Sequence, residues 1–227
     1  MRTKEEVAAT IDHAVLKQQY TDADVVSACE TGRKYKTATV CVRPTDTPLA
    51  KKELEGSGVG VAVVIGFPNG HSRAEVKALE AKLAIEDGAG ELDMVMNIGK
   101  FRSGDYDLVK KDIEAVVAEA KPKNVPVKVI IEICYLTEKE IEKACEIARD
   151  AGADYVKTST GFGDGAATLE GVAVMNRTVG KDMKIKAAGG IKTWEDAVAY
   201  LDQGCSRLGM SATEAILTEG ATGKEGY

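Results

Sequence analysis

An eightfold alternation constrains this chain more than any other feature. Short runs rich in Val, Ile and Ala recur along its 227 residues, each followed by a longer segment of helical period rich in Glu, Lys and Ala. The strand-like runs are IDHAVL (11–16), TATVCV (37–42), GVAVVIGF (60–67), ELDMVMNIG (91–99), VKVIIEICYL (127–136), DYVKTST (154–160), MKIKAAGG (183–190) and SRLGMS (206–211). Helical candidates between them, such as SRAEVKALEAKLAIEDGA and TEKEIEKACEIARDAGA, open on Ser or Thr and run out near Gly, as helix start and stop signals do. Each strand–helix unit occupies about 28 residues, the size expected for a closed barrel of eight parallel strands. An open, doubly wound sheet is the competing architecture. The even units and the lack of a dinucleotide-type loop favour closure. The expected class is therefore α/β, an eight-stranded parallel (β/α)8 barrel of the TIM type.

No Pro/Ser-rich linker or shift in composition divides the chain, so residues 1–227 read as one domain, with the segment from about 214 to 227 as a flexible tail. A net charge of −6 argues against nucleic acid or an anionic membrane as partner. The five cysteines, Cys29, Cys41, Cys134, Cys145 and Cys205, are scattered without a CxxC pair, which reads as reduced thiols in a cytoplasmic protein. The start carries charge where a signal peptide needs an apolar core, and the longest apolar run, VGVAVVIGF, is about half a membrane span. The two histidines, His13 and His71, lie on different units with no HExxH spacing, and no GxSxG elbow is present. Neither metal nor cofactor is expected.

Lysines on strands carry the stronger signal. Successive strand residues point to opposite faces. In DYVKTST, Tyr155, Lys157 and Ser159 share a face opposite Val156, and in MKIKAAGG, Lys184, Lys186 and Ala188 lie opposite Met183 and Ile185. In ELDMVMNIG, Asp93, Val95 and Asn97 oppose Leu92, Met94 and Met96; in VKVIIEI, Lys128, Ile130 and Glu132 oppose Val129, Ile131 and Ile133. The apolar faces suit the helices, so the charged residues are expected inside the barrel. A bland reading exists: these charges form a satisfied interior ion network, since buried charges must be paired. It weighs most for Lys128 and Glu132. For Lys157 and Lys186 the sharper reading is nucleophilic chemistry. Desolvation and a neighbouring cation both favour a neutral amine, which can attack a carbonyl to form a Schiff base. Asp93 offers a carboxylate for acid–base work. Spacing alone leaves open which lysine is the nucleophile.

Two glycine turns form a second signal. Ala188-Gly189-Gly190-Ile191 ends the seventh strand run, and Gly209-Met210-Ser211-Ala212-Thr213 ends the eighth, each leading into a helix. Exposed backbone N–H groups at helix N-termini bind phosphate, and barrels place phosphate after strands seven and eight.

The blocks IDHAVLK, ATVCVRP, ELDMVMNIG, KTSTGFG and KAAGGIKT, in this order, closely resemble the deoxyribose-phosphate aldolase family through nearly the whole chain. The resemblance implies a metal-independent Schiff-base aldolase of deoxyribonucleoside catabolism, a lyase that reversibly cleaves 2-deoxy-D-ribose 5-phosphate to acetaldehyde and D-glyceraldehyde 3-phosphate. Carried over by motif, it makes Lys157 the Schiff-base lysine, Asp93 the acid–base residue and Lys186 the assisting lysine. It places Cys41 beside the sugar and Gly189, Gly190, Gly209 and Ser211 at the phosphate. It also brings in the C-terminal Tyr227, which in some relatives folds over the barrel mouth. Three positions depart from the pattern: Phe162 stands where some relatives have a lysine, Ile133 replaces a usual threonine and Ala14 a frequent one. The partners implied are a small phosphorylated sugar and acetaldehyde, with neither nucleic acid nor membrane; a homodimer is left open. Rival readings are another Schiff-base barrel enzyme, a metal-dependent phosphate-binding epimerase and a non-catalytic barrel acting as an assembly module.

Overall fold

The computed structural model describes residues 2–222. Eight parallel strands pair in sequence order, and the eighth closes on the first. They are β1 (Ile11–Ala14), β2 (Thr39–Val42), β3 (Gly60–Ile65), β4 (Glu91–Val95), β5 (Val127–Ile130), β6 (Tyr155–Lys157), β7 (Lys184–Ala188) and β8 (Arg207–Met210). Ten α-helices among the described residues accompany them: α1 (Lys4–Ala8), α2 (Asp22–Tyr35), α3 (Thr47–Glu53), α4 (Ala74–Glu86), α5 (Ile98–Arg102), α6 (Tyr106–Ala120), α7 (Glu138–Asp150), α8 (Leu169–Val179), α9 (Trp194–Asp202) and α10 (Thr213–Thr222). No helix among the described residues is long and apolar enough to cross a membrane.

Local sequence sets the elements. In α7, Thr137 caps the helix by accepting the Glu140 N–H while the Glu140 carboxylate accepts the Thr137 N–H, satisfying two otherwise orphaned donors. Its apolar stripe of Ile141, Ala144, Cys145 and Ala148 is buried, and Gly152, at φ +84°, turns the chain toward β6. The outward faces of the strands, among them Val63, Leu92, Met94, Val129, Val156 and Ile185, join the helices in one continuous core. The inward faces divide. Leu16, Cys41, Ala62 and Val64, with Ala14 and Phe67 against them, form a small separate apolar cluster on the β1–β3 side. Elsewhere the interior holds the charged groups Asp12, Glu91, Asp93, Lys128, Lys157, Lys186 and Arg207, interleaved with the apolar Val95, Ile130, Tyr155 and Ala188.

Seven of the eight strand runs overshoot the strands they contain. The run 154–160 is paired only to Lys157, and 127–136 only to Ile130 before a 3-10 turn at Ile133–Tyr135; 91–99 ends at Val95, and α5 begins at Ile98. A strand ends where its neighbour's backbone departs, and alternation within one run carries no information about that neighbour. From 214 onward, where a flexible tail was expected, the chain is helical to Thr222, with Ile216 and Leu217 buried. The remainder of that tail, including Tyr227, lies outside the described residues.

One buried ion pair outside the barrel bears on the interior. Lys77 of α4, with its side chain fully buried, donates to the Val95 carbonyl at 2.7 Å and to Asp112 Oδ2 of α6 at 2.6 Å. It thereby ties two helices to the carboxyl end of β4, two residues beyond Asp93.

Candidate active site

Strand register puts the interior lysines side by side. Lys157 on β6 lies opposite Lys186 on β7, and Lys128 on β5 lies opposite Asp93 on β4. Asp93 is the hub. Its Oδ1 accepts from Lys128 at 2.8 Å, and its Oδ2 accepts from both Lys157 at 2.8 Å and Lys186 at 2.6 Å. Lys186 also donates to Asp12 Oδ2 of β1 at 2.5 Å. Asp12 Oδ1 takes Arg207 at 2.6 Å and Thr39 Oγ1 at 2.7 Å. Below them, Arg207 and Lys128 both reach Glu91.

Four cationic side chains, Lys128, Lys157, Lys186 and Arg207, thus face three carboxylates, Asp12, Glu91 and Asp93. Fully ionised, this buried cluster carries an excess positive charge, and desolvation opposes that. The balance closes if one amine is neutral. Burial alone would raise the Asp93 carboxyl, but Lys128, Lys157 and Lys186 around it overcome burial and hold it well below the usual range. Asp12 responds the same way and is held at about 2, burial being outweighed by Lys186, Lys128 and Arg207. Burial favours the neutral form of every interior lysine. For Lys128 it is outweighed by Asp93, Asp12 and Glu91, and for Lys186 by Asp12 and Asp93, so both stay more basic than a free lysine. Lys157 has one carboxylate partner and the Lys186 cation beside it. Burial, assisted by Lys186, outweighs Asp93 and lowers its pKa. The amine readiest to lose its proton is therefore Lys157.

Lys157 and Lys186 open into a cavity of about 630 Å³ at the carboxyl ends of the strands, whose wall includes Cys41, Gly189, Gly190, Gly209 and Ser211. That volume suits a small metabolite. Of the candidate residues, only Asp93 is absent from the wall: it is fully buried one layer below, behind the two lysines. Cys41 belongs to the apolar sector, and burial pushes its thiol up to about 11, so it is protonated at neutral pH. Gly189 and Gly190 have φ +84° and +75°, a conformation glycine adopts without strain. A Cβ on Gly190 would meet the Ala166 methyl at 2.8 Å; one on Gly209 would stand 3.1 Å from Lys186 Cε. Gly209 therefore leaves the room through which Lys186 extends.

Other placements separate the two sequence readings of the charged residues. Lys128 joins the ion network, whereas Glu132 instead binds Thr160. Phe162 lines the cavity and meets Phe67 edge-on, ring centroids 5.2 Å apart. His13 hydrogen-bonds Thr213 Oγ1 through Nδ1 at 2.8 Å, and burial lowers its pKa to about 4. The sequence reading missed Asp12, Arg207 and Glu91 as members of the network, and Lys17 and Lys192 as the cations at the cavity mouth. Asp12 gave the same signal as Asp93, a carboxylate in an apolar strand run. Lys17 and Lys192 sit in loops, where no periodicity marks direction.

Comparison with known proteins finds relatives along nearly the whole chain. The DeoC family model, described as DeoC/LacD family aldolase, matches residues 6–217. The deoxyribose-phosphate aldolase of Thermococcus gammatolerans is 52% identical over 222 residues, covering 97% of this chain and 98% of that one. The Clostridium novyi protein of the same name is 51% identical, covering 96% and 97%. Among solved structures, the deoxyribose phosphate aldolase of Aeropyrum pernix, described as having a unique tetrameric structure, superposes with a TM-score of 0.90 at 31% identity over 96% of this chain and 92% of that one.

Proposed function

The chain belongs to the DeoC/LacD family of aldolases, and from that premise we propose that it cleaves 2-deoxy-D-ribose 5-phosphate reversibly to acetaldehyde and D-glyceraldehyde 3-phosphate through a Schiff base on Lys157. The observation that carries the assignment is the excess of cations over carboxylates around Asp93, with Lys157 the amine that burial and Lys186 drive toward neutrality.

In the proposed cycle, the neutral Lys157 amine attacks the C1 aldehyde of the open-chain sugar and forms a carbinolamine. Loss of water gives the iminium. Removal of the C3 hydroxyl proton then releases the C2–C3 bonding pair into the iminium, leaving glyceraldehyde 3-phosphate and an enamine. Protonation at C2 and addition of water free acetaldehyde and restore Lys157. The Lys186 ammonium, held by Asp12 and Asp93, is the proton carrier. It gives a proton to the departing hydroxyl, takes one back from the C3 hydroxyl, delivers it to C2 and recovers it from the added water. Asp93, kept ionised, anchors both lysines and favours the ammonium form of Lys186. The iminium supplies the electron sink; the barrel supplies position and charge.

The sugar phosphate is assigned to the Gly189–Gly190 turn, Gly209 and Ser211, with Lys17 and Lys192 the nearby cations of the cavity wall. Phe162 cannot contribute the positive charge some relatives carry there. Cys41 packs beside the sugar as a neutral, small wall. A cytoplasmic location and self-association into a homodimer belong to the same proposal, the Aeropyrum pernix relative being described as tetrameric.

Borohydride reduction in the presence of acetaldehyde, followed by peptide mass mapping, tests the assignment. The reading requires a two-carbon adduct on Lys157 and none in Lys157→Ala. An adduct mapped to Lys186, or trapping that persists in Lys157→Ala, overturns it.

A further inference from the structure

Two residues beyond β5 the chain does something costly. Glu132 sits at φ 52°, ψ 67°, a left-handed conformation that side-chain-bearing residues rarely adopt, and it is only 2% exposed. Lys36 and Asn124, the other non-glycine residues with positive φ among those described, end helical segments on exposed surface. Glycine would take this turn without strain. A strained backbone that carries a buried carboxylate points to a requirement for the side chain.

The carboxylate is fully engaged. Thr160 donates its N–H to both Glu132 oxygens, at 3.2 Å each, and its hydroxyl to Oε2 at 2.5 Å. Thr160 Oγ1 in turn accepts the Phe162 N–H at 3.0 Å. The flanking backbone holds the same segment lower down, with Ile131 N–H donating to the Lys157 carbonyl at 3.0 Å and Ile133 N–H to Thr158 at 2.9 Å. Glu132 makes no salt bridge among the described residues and does not line the cavity, although the Lys157 charge lies near enough to favour its ionised form against burial. What it holds does line the cavity: Thr160, Gly161 and Phe162. Gly161 faces the other wall closely, since a Cβ on Gly189 would meet the Gly161 Cα at 3.5 Å.

We propose that Glu132 is a positioning residue that fixes the Thr160–Phe162 turn against the Gly189–Gly190 turn, and so sets the width of the cleft gripping the phosphate-bearing end of the substrate. The inference rests on the assignment of that glycine turn to the phosphate. The Glu132 hydrogen bonds go to Thr160 and none to Lys157, and acetaldehyde is too short to reach the turn, so the loss falls on the phosphate-bearing substrate.

Three variants test this: Glu132→Ala, Glu132→Gly and Glu132→Gln. For each, KM and kcat for 2-deoxyribose 5-phosphate are compared with the rate of borohydride trapping by acetaldehyde. Charge-assisted hydrogen bonds to a buried carboxylate set the expected effect, about a tenfold rise in KM for the Ala and Gly variants with trapping changed by less than about twofold. Glu132→Gln keeps an oxygen for the Thr160 N–H and retains KM within about threefold. Glu132→Gly is decisive because it removes the side chain while relaxing the backbone, so it folds even if Glu132→Ala does not. A wild-type KM in Glu132→Gly shows that only the turn matters and overturns the proposal. Equal losses of trapping and of KM overturn it too, since Lys157 itself would then be disturbed. Failure of the unmodified protein to trap acetaldehyde is a different result, which removes the aldolase reading beneath it.

Discussion

Replacing Lys186 by Met should move the whole acid limb of Schiff-base formation to higher pH. Lys157 and Lys186 donate to the same oxygen of Asp93, at 2.8 and 2.6 Å, so their charges lie no more than about 5 Å apart. At an effective dielectric of about 20, like charges at that separation repel by about 3 kcal/mol, or about two pKa units. Met keeps the bulk and removes the charge. The surviving Asp93 carboxylate then attracts Lys157 more strongly, which acts in the same direction. The sign follows: Lys157, now held below an ordinary lysine by burial and by Lys186, becomes more basic, and the neutral amine appears only at higher pH. Borohydride trapping by acetaldehyde as a function of pH reads this directly. The acid limb should rise by about two pH units, which near neutrality lowers the trapping rate about a hundredfold. The alkaline plateau should fall as well, because Lys186 no longer carries protons. An acid limb that stays in place would refute the electrostatic coupling, whatever happens to the plateau.

Three further outcomes are expected. Asp12→Asn strips a charge partner from Lys186 and Arg207 inside the barrel; breaking such a buried pair costs about 3–5 kcal/mol, so Tm should drop by on the order of 10 °C in calorimetry. Lys77→Met leaves Asp112 buried without its cation and should destabilise by a similar amount, about 3–5 kcal/mol in urea titration, whereas Lys77→Met with Asp112→Leu should recover most of it; a double variant as weak as the single one would contradict the pairing. Ser211→Glu places a negative charge at the cavity wall and should raise KM for deoxyribose 5-phosphate by about tenfold or more while sparing condensation of unphosphorylated acetaldehyde; equal losses with both substrates would remove the phosphate from this turn.

How much of this was legible in the sequence can be judged residue by residue. Eight alternating units announce a closed barrel because each strand must bury one face against helices and the other against its own interior, and 227 residues hold eight such units. Strand alternation placed Asp93, Lys128, Lys157 and Lys186 on inward faces, since direction along a strand is a local property. The Gly189–Gly190 turn after β7, with Gly209 inside β8 and Ser211 just beyond it, marked one wall of the cavity. Tertiary structure decided what these groups do to one another. Register brings Lys157 and Lys186 onto one oxygen of Asp93, adds Asp12 from β1, Arg207 from β8 and Glu91 from Asp93's own strand, and leaves four cations among three carboxylates. It also drew Glu132 away from that network to hold Thr160. A pKa is set by the burial and the charges within a few ångströms, whatever their separation along the chain. For Lys157, Asp93 is 64 positions away and Lys186 lies on the next strand, so the choice of which lysine loses its proton exists only once the barrel has closed.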